Sequence, residues 1–255
     1  MASAGGSDTH VRIEDRDGVR HVVLDRPAKK NAITRAMYSA AADAFEAAAS
    51  DDAIGAVLLR GEGGCFTAGN DLADFLEGPP PDDGVPVVRF LDAVAACPKP
   101  VVAAVEGLAI GIGTTILLHC DLVFAAPDAR LRTPFADLGL VPEAASSVLL
   151  PRRVGQARAA RLLLAGEMID GTTAEAWGLV GQLVPAADLV PAATAAAAAL
   201  AAKPRKAMLA SKALMRPDVA EVLAVMRREF AAFREGLRSE EAKAAFAAFL
   251  SRGKA

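Results

Sequence analysis

The sequence predicts an α/β fold, and three observations support this prediction. Short apolar runs of strand length alternate with longer segments in which apolar residues recur at helical spacing. Glycine-rich turns join several of the strand candidates to the helix candidate that follows. The 255 residues, 53% of them hydrophobic but only 5% aromatic, suffice to bury a large core built mostly from short side chains.

The first unit is predicted to be a β-hairpin followed by a helix. Residues 11–14 and 20–25 are strand-like and flank the turn signal Asp17-Gly18. Thr34 can begin the next helix, because its hydroxyl can accept a hydrogen bond from a backbone N–H of the first turn. The helix is expected to bury one apolar face, formed by Met37, Ala41, Phe45 and Ala48.

Two further units repeat the order of strand, glycine-rich turn and helix. Each strand candidate is a short, continuous apolar run, as expected of a strand buried on both faces. In the second unit the strand is 56–60, the glycine-rich turn is 61–69 and a short capped helix begins at Asn70. In the third unit the strand is 101–105, the turn is 107–113 and the helix is 113–119. Their recurrence favours an α/β architecture made of repeated units.

The C-terminal part is predicted to be helical throughout. From about Ala192 there is hardly a strand candidate, and Lys203-Pro204 and Arg216-Pro217 divide the stretch because proline cannot continue a helix. We therefore predict three regions along the chain. They are a disordered N-terminus at 1–10, an α/β core at 11–195 and a helical C-terminal region at 196–255.

Composition and motifs exclude several classes of function. The net charge of −3 provides no positive field for a nucleic acid, and neither a dinucleotide-binding nor a P-loop glycine motif occurs. Three histidines and three cysteines lack metal-ligand spacing, so we expect free thiols and no metal site. With no signal peptide and no apolar run of ~20 residues, the chain is expected to be cytoplasmic and to bind no membrane.

Two glycine-rich turns are the strongest candidates for a site. One leads from Gly61 to Asn70 and the other from Glu106 to Thr114, and each follows a strand and opens a helix. Backbone N–H groups at such helix starts are unpaired, so two converging turns can polarise a carbonyl oxygen as an oxyanion hole. The alternative from spacing alone is that the glycines only permit tight turning.

Four segments resemble the enoyl-CoA hydratase/isomerase, or crotonase, superfamily over about residues 10–252. They are "CFTAGNDLADF" (65–75), "PKPVVAAVEGLAIGIG" (98–113), "CDLVFAAPDARLRTPFADLGLVPEAASSVLLPRRVG" (120–155) and "AGEMIDGTTAEAWGLV" (165–180). The resemblance implies a crotonase-like spiral of repeated ββα units whose C-terminal helices assemble a homotrimer or a dimer of trimers. It also implies an acyl-CoA thioester substrate, with the backbone N–H groups of Asn70 and Ile112 as the oxyanion hole.

The resemblance also identifies a catalytic acid. Where hydratases of this superfamily carry two glutamates, this chain has Thr115 and Phe135, neither of which can take a proton from water. The motifs "GNDLADF" and "TPFADLGLVPEAASS" most resemble the peroxisomal-type Δ3,Δ2-enoyl-CoA isomerase branch, in which the acid corresponds to Glu143. This implies that Glu143 carries a proton while a double bond of an unsaturated fatty acyl-CoA moves from position 3 to position 2. Ala144 stands where glycine is common.

Alternatives to this role of Glu143 remain open at the level of the sequence. Following Pro142, Glu143 can simply be an acid in the first turn of a helix, where it interacts favourably with the helix dipole. The protein can instead be a hydratase, or catalyse another crotonase reaction, using Glu143 with a second acid such as Asp137. A non-catalytic acyl-CoA carrier is the third possibility.

The resemblance further implies contacts with the CoA portion of the substrate. Arg26, Lys29 and Lys30 are candidate contacts of the phosphates. Ala28, Ala68 and Leu72 are candidates near the adenine, and Asp71 is included with them although it is also expected to cap a helix. No separate cofactor is expected, because CoA arrives as part of the substrate.

Overall fold

Two β-sheets lie at the centre of the fold in the computed structural model, which describes residues 9–71 and 85–252. The strands are β1 Val11–Arg16, β2 Val19–Leu24, β3 Ala56–Gly61, β4 Val101–Val105, β5 Leu108–Ile110, β6 Leu122–Ala125, β7 Arg130–Arg132, β8 Ile169–Asp170 and β9 Gln182–Leu183. Within these residues the larger sheet has the order β1-β2-β3-β4-β6-β9 and the smaller one β5-β7-β8. All neighbours in the larger sheet are parallel except β1 and β2.

Helices cover the sheets and make up the C-terminal part of the described chain. They are α1 Arg35–Ser50, α2 Pro86–Ala96, α3 Ile112–Thr115, α4 Ser146–Val154, α5 Gln156–Leu163, α6 Gly171–Ala176, α7 Ala186–Ala201, α8 Arg205–Met215, α9 Val219–Arg238 and α10 Glu240–Arg252. Short 3-10 helices occur at Pro27–Lys29, Ile116–His119 and Ala136–Leu138. The prediction of an α/β fold is confirmed.

The first unit forms as the sequence predicts. β1 and β2 are an antiparallel hairpin in which Val11 pairs with Leu24. The Thr34 side chain accepts a hydrogen bond from Met37 N at 3.2 Å and so caps α1. The four residues of the predicted apolar face are buried. This face packs on α2, where the rings of Phe45 and Phe90 meet edge to face with centroids 6.0 Å apart.

The third unit differs from its prediction in the glycine-rich segment. Its strand, β4, has the predicted bounds, but the expected turn at 107–113 contains the strand β5, which pairs with β7. The expected helix at 113–119 is divided into α3 and a 3-10 helix. A three-residue strand between glycines is too short to show a periodic pattern, and only its pairing partner makes it a strand.

The C-terminal helices pack against the large sheet and against one another. α7 begins at Ala186, before the first residue of the predicted helical pattern, and buries Leu189, Ala193 and Ala197 against the sheet. The two proline-containing breaks lie between helices, as predicted. Taken singly, no helix of the described ranges is long and apolar enough to cross a membrane. α7 and α8 meet the criteria of length and composition only as a pair, bent by 108°.

Three predictions fall on residues outside those described. The N-terminal disorder at 1–10 falls almost entirely there, as does the body of the short helix expected from Asn70. The third is the loop that the three consecutive prolines of "EGPPPDDGVP" (77–86) predict between the second and third units, and it also lies mostly outside.

Phe45→Ala is expected to lower the free energy of unfolding by about 3–5 kcal/mol, because it removes a fully buried ring between α1 and α2 and leaves a cavity. Urea denaturation followed by circular dichroism measures this loss. Glu46→Gln is the matched control on the same helix, since Glu46 makes an exposed ion pair with Arg89 and its loss should barely move the midpoint. Equal losses for both variants would contradict the packing role of Phe45.

Candidate active site

The two glycine-rich turns lie side by side. Thr67 and Ala109 form a parallel bridge, and Ile110 N donates to Thr67 O at 3.1 Å. A Cβ atom on Gly69 would lie 2.9 Å from Ile110 O, and one on Gly113 would lie 2.6 Å from Thr67 Cγ2. The glycines at these positions therefore allow two backbones to approach closely, which is more than tight turning alone requires.

The Asn70 and Ile112 backbone N–H groups make no hydrogen bond to another described residue. The residues on either side of Asn70 are bridged to Ile33, since Gly69 O accepts from Ile33 N and Asp71 N donates to Ile33 O. The Asn70 N–H therefore points away from this bridge. Ile112 is the first residue of α3, where an N–H has no intrahelical acceptor. Over residues 9–71 and 85–252, neither of these two N–H groups has an acceptor.

Glu143 reaches the same helix. Ile112 and Thr115 are one turn apart on α3 and therefore share a face. The Thr115 hydroxyl donates a hydrogen bond to Glu143 Oε1. Within the described part of the chain, this short helix thus has an N–H without an acceptor at its first residue and the partner of the Glu143 carboxyl at its last.

The environment of Glu143 favours its protonated form. The residue is half-buried, and the hydrogen bond between its carboxyl group and the Thr115 hydroxyl is partly buried. This burial raises the pKa of Glu143 to about 8, with the hydrogen bond from Thr115 opposing the rise and the nearby Glu229 adding to it. A carboxyl group with a pKa near neutrality can both accept and return a proton.

The helix after Glu143 begins later than Pro142. α4 starts at Ser146, with Ala145 at its N-cap and no acidic residue in its first turn. The expectation that Glu143 is an acid at the start of a helix is therefore wrong. A carboxylate from α9 performs that role, since Glu229 accepts from Ala145 N at 2.6 Å and from Ser147 N at 3.0 Å.

Comparison with known proteins identifies the family. A family model described as "Enoyl-CoA hydratase/isomerase" matches residues 14–255. The chain belongs to this family. The structure of Pseudomonas aeruginosa OdaA superimposes with a TM-score of 0.92 at 47% identity, covering 95% of this chain and 99% of that one. The predicted crotonase-like fold is thereby confirmed.

The relatives that this chain matches within the family are named as different enzymes. "Enoyl-CoA delta isomerase 2" of Rattus norvegicus is 34% identical over 249 residues, which is 95% of this chain but 63% of the relative. The chain thus spans less than two thirds of that protein. "1,2-epoxyphenylacetyl-CoA isomerase" of Escherichia coli (strain K12) is 39% identical over 174 residues, 66% of each chain.

Thr115 and Phe135 occupy the two positions where the resemblance places the glutamates of hydratases. Thr115 is buried and bonded to Glu143, and Phe135 is buried in the core. Asp137, the alternative second acid, is exposed and pairs with Arg132 at 2.8 Å. Its charge is compensated by that arginine.

Three of the candidate CoA-binding residues form one exposed corner. Ala28, Lys29 and Lys30 are exposed, and Lys30 O accepts from Ala68 N at 2.9 Å, which joins this segment to the first glycine-rich turn. Arg26 and Asp71 lie beside it, but they form an ion pair with each other. Leu72 lies outside the described residues.

Two buried polar residues shape the site without having been singled out by the sequence. Asn31 is completely buried and its side chain donates to Glu62 O at 2.9 Å and Cys65 O at 2.6 Å, so it holds the first glycine-rich turn. The Nε2 atom of the buried His119 lies 2.8 Å from Ala144 O. Burial lowers the pKa of His119 to about 4, so it is neutral and donates this bond.

Metal ligands do not assemble in this part of the molecule. Over the residues that the structure describes, no group of three or more histidine, cysteine, aspartate or glutamate side chains could hold an ion. Cys97 and Cys120 are buried, as expected for packing residues, and Cys65 is half-buried.

The wild-type protein is expected to lose stability relative to Glu143→Gln as the pH rises from about 5 through about 8. The folded pKa of Glu143 is raised from 4.5 to about 8, so the native state keeps a proton that the unfolded chain releases. The stabilisation is complete below the unfolded pKa and disappears as the pH passes the folded one, with a slope of at most about 1.4 kcal/mol per pH unit. Urea denaturation of both proteins at pH 5, 6.5 and 8 measures it. Parallel curves would contradict the buried carboxyl.

Proposed function

We propose that this protein is an acyl-CoA isomerase that moves a carbon–carbon double bond from position 3 to position 2 of an unsaturated fatty acyl thioester. The observation that carries the proposal is the Glu143 carboxyl, whose pKa is raised to about 8 by burial, bonded to the helix that begins with Ile112, whose N–H has no acceptor among the described residues. A single carboxyl group held by the helix that carries one candidate oxyanion donor suits a reaction that moves one proton and stabilises one oxyanion.

The reaction balances with a single carboxylate. Ionised Glu143 takes a proton from C2 of the thioester; the electron pair of that C–H bond forms a C1=C2 bond, and the carbonyl π electrons move onto the thioester oxygen while C3=C4 is kept. The same carboxyl group then gives the proton to C4: the carbonyl re-forms, the C1=C2 pair shifts to C2=C3, and the C3=C4 pair makes the new C4–H bond. No water molecule is consumed, so no second acid is needed to activate one.

The intermediate explains the need for the two N–H groups. Removal of the C2 proton produces a dienolate whose negative charge lies on the thioester oxygen. The Asn70 and Ile112 backbone N–H groups would donate to this oxygen, and the loss of one such donor typically costs ~3 kcal/mol of transition-state stabilisation. Because both donors belong to the backbone of closely packed turns, they would be oriented before the substrate arrives.

Thr115 contributes to this chemistry through Glu143. Its hydrogen bond lowers the pKa of Glu143, and so it limits the rise caused by burial. A carboxyl group with a still higher pKa would be ionised too seldom at neutral pH to act as a base. Thr115 therefore acts as a positioning residue that keeps the base usable.

The CoA portion is proposed to bind at the exposed corner near Lys29 and Lys30. These two ammonium groups are exposed, whereas the charge of Arg26 is already compensated by Asp71. Lys29 and Lys30 are therefore the stronger candidates for the phosphates, with Ala28 and Ala68 as the nearby small residues. Trimer assembly and a cytoplasmic location stay predictions.

Glu143→Gln is expected to reduce the isomerisation of a 3-enoyl-CoA at least ~100-fold, because the amide cannot accept the proton. For the parent protein, kcat/KM should rise with pH up to about 8, where Glu143 becomes ionised in the free enzyme. Following product formation by chromatography from pH 6 to 9 measures both effects. Asp137→Asn is the control and should retain activity.

Two outcomes of the same assay would contradict the proposal. Incubation of the parent with a 2-trans-enoyl-CoA tests hydration, and hydration that Glu143→Gln leaves unchanged would point to another set of catalytic residues. Binding of both thioesters without turnover of either would indicate an acyl-CoA carrier.

Lys29→Ala/Lys30→Ala is expected to raise KM for the CoA substrate several-fold with little change in kcat, because the phosphates remain bound equally in the ground and transition states. The effect should shrink at high salt and vanish for a pantetheine thioester that lacks the nucleotide phosphates. Lys203→Ala/Lys206→Ala removes the same charge from exposed positions and is the control. An equal rise in KM for both double variants would show that only net charge matters.

A further inference from the structure

One peptide unit next to Glu143 is held from two opposite sides. The carbonyl oxygen of Ala144 accepts from His119 Nε2 at 2.8 Å, and the N–H of Ala145 donates to Glu229 Oε2 at 2.6 Å. Both anchoring side chains are buried, with His119 4% and Glu229 8% exposed. Water therefore competes poorly for either hydrogen bond.

The backbone at this point needs such support. Ala144 and Ala145 both have left-handed conformations, with φ of 58° and 55°. This region is unfavourable for residues that carry a Cβ atom, and two such residues in succession persist only where the surroundings hold them. Glu143 immediately precedes the pair, so the direction of its side chain depends on this conformation.

Glu229 also completes a helix that cannot cap itself. The N-cap position of α4 is Ala145, which has no side-chain acceptor. Glu229 accepts from the Ala145 and Ser147 N–H groups and from the Ser147 hydroxyl. A carboxylate at this position satisfies N–H groups that are otherwise orphaned and interacts favourably with the helix dipole.

We propose that Glu229 and His119 are positioning residues for Glu143, acting through the Ala144–Ala145 peptide unit that they clamp. Glu229 belongs to α9 and His119 follows α3, so the clamp joins the C-terminal helices to the core of the site. This role rests on the proposed function of Glu143 as the proton carrier. The clamp itself is a property of the fold and can be tested without the reaction.

The charge of Glu229 gives the clamp a second effect. The groups that face the Glu143 carboxyl are Thr115 on α3, which donates a hydrogen bond, and Glu229 on α9, whose negative charge opposes ionisation of Glu143. Glu229 is itself faced by Ser147 on α4 and by Arg228 on its own helix. Around His119, the charged groups are Arg153, Lys212 and Arg216. Neutralising Glu229 should therefore favour the ionised form of Glu143.

Glu229→Gln tests the clamp through three measurements on the full-length chain. Exchange of the Ala145 amide hydrogen should accelerate at least ~10-fold, because its acceptor is weakened. With a 3-enoyl-CoA, kcat should fall about 10- to 100-fold with KM within about twofold, since misplacement of a base by 1 Å can have such an effect. The acid limb of kcat/KM should move to lower pH. Glu235→Gln, an exposed glutamate on the same helix, is the matched control and should change none of these.

His119 supplies an independent pair of variants. His119→Phe removes the donor to Ala144 and is expected to lower kcat by a similar factor. His119→Gln places an amide nitrogen near the position of Nε2 and should restore most of the activity. Because His119 is neutral, the acid limb of kcat/KM in His119→Gln should lie at the same pH as in the parent.

The outcomes separate this proposal from the proposed function. If the parent has no isomerase activity, the proposed function fails, while amide exchange and the carboxyl titration of Glu143 by carbon-13 NMR still test the clamp. An unchanged Ala145 exchange rate and Glu143 titration in Glu229→Gln would overturn it. If Glu229→Gln fails to fold, the His119 variants decide. The clamp proposal is then overturned if His119→Phe and His119→Gln are both as active as the parent.

Discussion

Parallel pairing of β3 with β4 is the constraint on which the candidate site depends. In parallel strands the carboxyl ends meet at one edge of the sheet, so the segments that follow both strands leave from the same place. The two glycine-rich turns start at this edge, and the Thr67–Ala109 bridge keeps them together. Without parallel pairing, the Asn70 and Ile112 N–H groups would belong to distant parts of the molecule.

The same constraint explains which parts of the structure the sequence predicts. The cap at Thr34 and the buried face of α1 depend on residues within a few positions of each other, so their pattern is visible in the chain. The first glycine-rich turn can be recognised in the sequence for the same reason. The short strand β5 cannot be recognised there, because it exists only through its pairing with β7. Local patterns are thus predictable, and elements defined by a distant partner are not.

The candidate site divides along the same line. Glu143, Asn70 and Ile112 were singled out through motifs, and the described structure brings Glu143 into contact with the helix that Ile112 begins. The contacts that shape the carboxyl are different in kind. The motifs identify Thr115 only as the residue that replaces a hydratase glutamate, whereas its hydroxyl donates directly to Glu143. Glu229 lies 84 positions along the chain from Ala145, whose N–H donates a hydrogen bond to it. No spacing rule connects residues so far apart.

The long separation between Ala145 and its acceptor has a consequence for the newborn chain. Polypeptides emerge from the ribosome in sequence order and their N-terminal parts fold first. The sheet, both glycine-rich turns and Glu143 itself are synthesised before residue 229, so the strained turn beside Glu143 has only its histidine anchor until α9 has emerged. A ribosome-bound chain ending before that helix therefore already contains the oxyanion-hole candidates, but the turn beside Glu143 gains its second anchor only after α9 has been synthesised.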